Sequence, residues 1–221
     1  MKTSAGLVAS ATALVLGLSG CGSQATTAAP AAPAHHKVAE PVRNDGPNPT
    51  IADYLRDHKI VEAQVHHDDN GVPKVELPTP DGWKSAGDDT PPWAYDAIVY
   101  TGPTADPDHS PSVVALLSEL TGQVDPKALL AVAPGELQNL PGFTASGPGM
   151  TGTLGSYPTY RSAGTWSSDG KTRFVAQQTV IIPATNRTYV LQLNSDGPVD
   201  QSAALQAVTT AVDQQTKITM H

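Results

Sequence analysis

The side chains best suited to metal binding or catalysis form one short polar cluster. His66, His67, Asp68 and Asp69 follow one another in the stretch HHDDNG, and imidazole and carboxylate groups are common zinc ligands. Successive side chains of a strand point to opposite faces, so the two histidines cannot share a metal without distortion. The Asp-Asn-Gly run is also typical of a turn. We therefore predict a polar turn here, with no metal site and no cofactor.

A hydrolase of the α/β type would carry its nucleophile in a Gly-x-Ser-x-Gly turn. The nearest match is YRSAG at 160–164, where Tyr160 stands in the place of the first glycine. This stretch lies in a predicted strand, whereas a nucleophile elbow lies between a strand and a helix. His109 with Asp106 or Asp108 completes a triad on paper, but such sets arise easily in a chain with seven histidines. We predict no catalytic residue and no enzymatic activity, with an esterase as the weakest alternative.

Aromatic side chains are the stronger candidates for ligand binding. Aromatic and aliphatic walls suit an acyl chain or the face of a sugar ring. Trp93, Tyr160 and Trp166 fit a binding surface as well as they fit a core. The segment 129–143, LLAVAPGELQNLPGF, is interrupted by proline and glycine and would form a movable flap over such a pocket. It ends at Phe143, which completes the predicted set of ligand-binding residues.

The only cysteine, Cys21, carries the clearest signal of location. It follows Lys2 and an apolar run over 5–18, which is too short to span a membrane. Small residues lead directly into the cysteine. This order resembles the bacterial lipoprotein signal, in which the cysteine becomes the first mature residue and is acylated; an ordinary signal peptide is the alternative. We predict a signal peptide over 1–20, lipidation of Cys21 and an extracytoplasmic, membrane-anchored protein, since two or more acyl chains anchor stably.

The composition divides the remaining chain in two. Residues 21–49 hold the lipidated cysteine and a stretch rich in proline, alanine and threonine without apolar periodicity, which is typical of a disordered tether. Residues 50–221 are long enough for one globular domain. The formal net charge of −8 disfavours a partner with a phosphate backbone, so nucleic-acid binding is not expected.

The pattern of the domain predicts an α+β fold, a mainly antiparallel sheet with helices packed on it. TIADYLRDHKI predicts a capped helix, and VEAQV and KVELP, separated by the Asp-Asn-Gly turn, predict a β-hairpin. SVVALLSEL is apolar on both faces and predicts a central strand. GPGMTGTLG at 147–155 predicts a mobile loop rather than a phosphate-binding loop, because no Gly-Lys follows.

The second half is more regular. GSYPTYRSAGTW, KTRFVAQQTVII and RTYVLQLN, separated by SSDG and PATN, predict a three-stranded antiparallel meander. In its middle strand one face carries Phe174, Ala176, Gln178, Val180 and Ile182. DQSAALQAVTTAVDQQT then predicts an amphipathic closing helix.

Several of these stretches together resemble a known family. TIADYLRDHKI, ELPTPDGW, AYDAIVYTG, LSELTG, GELQNLPGF and QQTVIIPATNRTYVLQLN are similar to the mycobacterial LpqN/LpqT lipoprotein family, across essentially the whole domain. The resemblance implies a PsbP-like α/β/α sandwich and an envelope protein without established enzymatic activity. It also implies a part in envelope lipid biosynthesis and trafficking, including trehalose mycolates, and contacts with host proteins.

Three functions therefore stay open after the sequence. The first is an envelope lipoprotein that binds a lipid or glycolipid and assists its transport or biosynthesis, and we rank it first. The second is a module that docks on envelope transport proteins or host proteins. The third is an esterase-type hydrolase. An apolar cavity would favour the first function, and a flat exposed apolar patch would favour the second.

Overall fold

The computed structural model describes residues 38, 46–103 and 110–220, which belong to one compact unit, Ala34–His221. Several predictions fall outside the described residues: the signal peptide over 1–20, Cys21 and most of the tether, and the paper triad residues Asp106, Asp108 and His109.

Four α-helices lie in the described part of the chain, the longest with 14 residues, besides two short 3-10 helices, Gly87–Asp89 and Val199–Gln201. The α-helices are α1 (Ile51–Asp57), α2 (Pro126–Val132), α3 (Pro134–Gln138) and α4 (Ser202–Gln215). Among residues 38, 46–103 and 110–220, no helix has the length and apolar character needed to cross a membrane.

Eleven strands accompany these helices in the described residues. They are β1 (Val61–Val65), β2 (Lys74–Glu76), β3 (Trp83–Ser85), β4 (Asp96–Tyr100), β5 (Ser112–Thr121), β6 (Thr144–Ala145), β7 (Met150–Leu154), β8 (Tyr157–Ser168), β9 (Lys171–Ala184), β10 (Arg187–Pro198) and β11 (Lys217–Thr219).

Nine of these strands form one antiparallel sheet in the order β3-β4-β5-β10-β9-β8-β6. Strand β1 shares the outer edge of β5 with β4, and β7 shares the outer edge of β8 with β6. Strands β2 and β11 form a separate antiparallel pair. The meander of β8, β9 and β10 is confirmed, because these strands are long and joined by tight turns.

Helices cover both faces of the large sheet. On one face, Leu205, Val208 and Val212 of α4 are buried in a cluster with the inward side chains of the strands. On the other face, α1 and α2 bury Leu129 with Ile181 and other apolar residues. The predicted α+β class, with helices packed on a mainly antiparallel sheet, is confirmed.

The start of the domain is set by a local motif. The Thr50 hydroxyl accepts the Asp53 N–H at 3.2 Å, and the Asp53 carboxylate accepts the Thr50 N–H at 2.9 Å. This capping box satisfies donors that the helix cannot satisfy itself. Just before it, the Asn48 N–H donates to Asn139 Oδ1 at 3.1 Å, so the last residues of the predicted tether contact the domain.

Two local predictions are wrong. Strands β1 and β2 do not form a hairpin: Val61 pairs with Thr121 of β5, and Val75 pairs with Ile218 of β11. The turn between them is present, but each strand finds a partner far along the chain. Within GPGMTGTLG, residues Met150–Leu154 form β7 rather than a loop, because they pair with the long strand β8.

Candidate functional site

The first candidate site is an open groove of about 480 Å³ beside α4. We call it the α4 groove; it is bounded by α4, by strands β8–β10 and by the segment 146–150. Its walls are mainly apolar and include Met150, Ala163, Ala176, Leu193 and Val212. Two of the wall residues are alanines paired across β8 and β9, so the space exists because small side chains leave it unfilled.

Several polar side chains also line the groove, and Gln178 is the most buried of those that lack a hydrogen-bond partner for one atom. Gln178 lines the groove from β9 and is only 4% exposed. Its Oε1 atom is buried and has no hydrogen-bond partner in the part of the chain that the structure describes. Its neighbours across the sheet are Leu193 and Arg161. A buried carbonyl oxygen without a hydrogen-bond partner costs about 1–3 kcal/mol.

The rim of the groove is polar. Arg161 Nη1 donates to Asp213 Oδ2 at 2.9 Å and thereby links β8 to α4. Burial raises the pKa of the Asp213 carboxyl, and the hydrogen bond from Arg161 opposes that rise. An apolar floor with a charged and hydroxylic rim suits an amphiphile whose polar end faces the solvent.

The second candidate site lies on the opposite face of the sheet. We call it the aromatic recess; it has a volume of about 150 Å³ and is lined by both Trp93 and Trp166. Glu136, Leu137 and Leu140 border it from α3 and the residues that follow. The residue types favour a small polyhydroxylated ligand, because an indole face suits a sugar ring and the carboxylate accepts hydroxyl donors.

A buried ion pair supports the floor of the aromatic recess. Arg173 approaches Asp196 with Nη2 at 2.6 Å and Nε at 3.0 Å from Oδ2. The Trp166 indole donates its N–H to Asp196 Oδ1 at 3.2 Å. Asp196 therefore holds two side chains in place: the guanidinium of Arg173 and the Trp166 indole that borders the recess.

Glu136 connects the recess to the N-terminal helix. Its Oε1 accepts the N–H of Ile51, the first residue of α1, at 3.0 Å. Burial raises the pKa of the Glu136 carboxyl, which the hydrogen bond from Ile51 partly offsets. The carboxyl thus acts as a tertiary cap for a helix whose first N–H groups lack partners of their own.

The four predicted ligand-binding residues do not all meet. Trp93 and Trp166 line the aromatic recess, and Phe143 packs beside it against the cluster that contains Trp166. Tyr160 packs instead against the apolar cluster under α1 and α2. None of the four lines the α4 groove. The residues that line the α4 groove were not among the predicted site residues. Gln178, a polar residue on an otherwise apolar strand face, was a usable signal.

The polar cluster at 66–69 forms a turn, and the imidazole rings of His66 and His67 contact different neighbours. His66 Nδ1 lies 3.7 Å from Asp69 Oδ2, whereas the His67 ring lies 5.5 Å from the Tyr95 ring, centroid to centroid. Within residues 38, 46–103 and 110–220, no group of three or more metal-ligating side chains is close enough to hold an ion. Ser162 of YRSAG lies inside β8, as predicted.

The comparisons with known proteins bear on this geometry as a whole. The family model described as "Probable lipoprotein LpqN" matches residues 47–219. The chain belongs to the LpqN lipoprotein family. "Lipoprotein LpqN" of Mycobacterium tuberculosis is 48% identical over 174 residues, covering 79% of this chain and 75% of the relative.

A solved LpqN structure resembles the fold described above. The crystal structure of LpqN "involved in cell envelope biogenesis of Mycobacterium tuberculosis" superimposes with a TM-score of 0.73 at 48% identity. The match covers 79% of this chain and 99% of that one. The predicted family is therefore confirmed. The LpqN lipoprotein family is not a known family of enzymes.

Proposed function

We propose that this LpqN-family protein is a membrane-anchored envelope lipoprotein whose domain binds a lipid or glycolipid in the α4 groove. The α4 groove is the observation that carries the proposal. Its volume falls in the range of small-molecule sites, and its walls combine apolar side chains with a few polar groups, as such sites do. The relative's part in cell envelope biogenesis supports a ligand from the envelope, with trehalose mycolate as the first candidate.

A lipid anchor at Cys21 and a lipid ligand in the α4 groove would serve the same function, the handling of envelope lipids. Lipidation at Cys21 would hold the protein on the extracytoplasmic side of the cell membrane, and the residues before the domain would let it reach away from the surface. A domain that shields an acyl chain from water could then assist the transport or biosynthesis of envelope lipids. Each methylene removed from water contributes about 0.8 kcal/mol, so even part of one chain gives useful affinity.

Docking on an envelope transport protein or a host protein is the second candidate. Large apolar side chains that stand exposed include Val61, Met150, Val199 and Met220. They belong to β1, β7, the turn after β10 and the C-terminal end, so they are spread over separate segments. Met150 alone borders the α4 groove. This distribution favours the groove over a single apolar docking face.

Native mass spectrometry tests the proposal. The compact unit Ala34–His221, produced in a mycobacterial host, is expected to carry a stoichiometric extra mass that organic solvent extracts as an acyl lipid or acylated sugar. A bare polypeptide mass, repeated after incubation with envelope lipids, would contradict lipid binding and favour protein docking.

Two matched variants distinguish the sites. Ala163→Phe places a ring in the α4 groove and is expected to abolish the extra mass. Trp93→Ala opens the aromatic recess on the other face and is expected to leave the mass unchanged. The reverse result would move the lipid to the aromatic recess. Thermal melts of both variants check that each has kept its fold.

A further inference from the structure

The proposed function gives no role to the turn between β1 and β2, which contains an asparagine followed by a glycine. Asn70 and Gly71 are both exposed. Gly71 has a φ angle of 73°, and no atom beyond its chain neighbours lies within 4 Å of where a β-carbon would stand. Glycine has no side chain that could shield its own main-chain nitrogen. The Gly71 nitrogen is therefore accessible both to solvent and to the side chain before it.

The hydrogen bonds of this turn leave both groups free. The Asp69 N–H donates to the His66 carbonyl at 3.2 Å, and the His66 N–H donates to Asp69 Oδ2 at 2.8 Å. The side-chain amide of Asn70 and the N–H of Gly71 have no hydrogen-bond partner among the residues that the structure describes. Neither group is thus held away from the other.

Other asparagines in the described residues are protected, each in a different way. Asn48 is followed by Pro49, whose nitrogen carries no hydrogen. The Asn139 amide donates to the Asn48 carbonyl at 2.8 Å. Asn194 lies inside β10, and its Oδ1 accepts the Gln177 amide at 2.8 Å.

Asn186 is the informative comparison, because it shares the exposure of Asn70 but not its neighbour. It lies in the exposed turn between β9 and β10. The next residue, Arg187, has a β-carbon and begins β10, where it pairs with Ala184. Its nitrogen is therefore more hindered and more restrained than that of Gly71.

We propose that Asn70 is a site of spontaneous deamidation, with water as the co-reactant. The Gly71 nitrogen attacks Asn70 Cγ and gives up its proton, a five-membered succinimide forms, and the bond from Cγ to the amide nitrogen breaks, so that ammonia leaves. Water then opens the ring at either carbonyl and leaves aspartate or isoaspartate at position 70. Nothing is oxidised or reduced.

The product has one more negative charge, next to Asp68 and Asp69. Isoaspartate also adds one carbon to the main chain of the turn. The fold tolerates this, because the flanking strands do not pair with each other: β1 pairs with β5, and β2 pairs with β11. We therefore expect a folded, more acidic form of the protein with an unchanged melting temperature, which a protein isoaspartyl methyltransferase would accept as substrate.

The test is incubation of the purified full chain in a mildly alkaline buffer, followed by tryptic digestion and mass spectrometry. The peptide 60–74 contains Asn70 as its one asparagine, and the peptide 174–187 contains Asn186 as its one asparagine. Replacing an amino group by a hydroxyl group adds about one mass unit. We expect this increase in peptide 60–74, with fragmentation placing it at Asn70, and a several-fold slower increase in peptide 174–187. Transfer of labelled methyl groups by the methyltransferase measures the isoaspartate.

Three variants separate the contributions. Asn70→Gln would need a six-membered ring and is expected to abolish the increase. Gly71→Ala adds a β-carbon beside the nitrogen and is expected to slow it several-fold. Asn186→Gln is the matched control at the other exposed turn and is expected to leave the modification of Asn70 unchanged.

A synthetic peptide 60–74 shows whether the folded turn leaves the reaction free, since Asn70 in the protein is expected to react about as fast as in the peptide. A much slower reaction in the folded protein would overturn the proposal, because the turn would then protect Asn70. Equal rates at Asn70 and Asn186 would overturn the role assigned to Gly71. None of these outcomes depends on lipid binding, so failure here leaves the proposed function untouched.

Discussion

The ion pair between Arg173 and Asp196 allows a quantitative prediction. The Arg173 side chain is 8% exposed and that of Asp196 is 18% exposed, and their closest atoms are 2.6 Å apart. Asp196→Asn keeps the size of the side chain and an oxygen for the Trp166 indole. It removes the negative charge and leaves the guanidinium buried without a counter-charge.

The expected cost follows from this geometry. Removing one partner of a buried ion pair destabilises a protein by about 3–5 kcal/mol, mainly because the other charge stays buried and unpaired. Asp196 keeps some contact with solvent, so we expect the lower end, about 3 kcal/mol. Arg173→Met in the same chain removes the unpaired charge, so the double variant is expected to be more stable than Asp196→Asn alone.

Urea denaturation followed by far-ultraviolet circular dichroism gives the free energies of unfolding of all four proteins in the double-mutant cycle. Contacting charges are expected to couple, so the two single costs should not add. A cost of less than about 1 kcal/mol for Asp196→Asn, or strictly additive costs, would show that solvent reaches the pair and would refute the reasoning.

Two further predictions concern the core and the pH dependence. Leu205→Ala, at a position with no exposed surface, is expected to lower the free energy of unfolding by about 3 kcal/mol in urea denaturation, whereas the exposed Gln206→Leu should change it by less than about 0.5 kcal/mol. The raised pKa of Glu136 means that the folded state holds this proton more tightly than the unfolded state, so its contribution is full below the unfolded pKa and is lost as the pH rises through the folded pKa. Glu136→Gln keeps an acceptor for the Ile51 N–H and is expected to reduce that loss, so melts of the two proteins should diverge in favour of the variant as the pH rises from acidic to neutral; parallel curves would contradict the assignment.

Local patterns predicted those parts of the fold whose partners are close in sequence. Asp169 and Asn186 adopt positive φ angles in the two tight turns of the meander, and the alternation in β9 set its faces correctly. The hairpin prediction was wrong for β1 and β2 because their partners, β5 and β11, lie far along the chain. The alternation of apolar residues within a segment indicates a strand, but it does not indicate which distant strand becomes its partner.

The candidate sites show the same limit. Trp93 and Trp166 were chosen as aromatic residues in suggestive positions, but their meeting at one recess depends on how the fold brings the turn before β4 close to strand β8. The α4 groove was not predicted, because it is a space left unfilled beside small residues such as Ala163. No single residue type in a sequence indicates such a space. Gln178 was visible on an apolar face, but its lack of a partner required the coordinates.

The pairing of β11 with β2 has a consequence for how the chain acquires its fold. Lys217 lies opposite Glu76, and Ile218 lies opposite the buried Val75, so the last strand closes on one of the first. Such contacts between distant segments form slowly, since a long loop must be ordered before they contribute. The domain therefore cannot complete its sheet pairing until its final residues have been synthesised, and a chain shortened before Lys217 would leave the edge of β2 open.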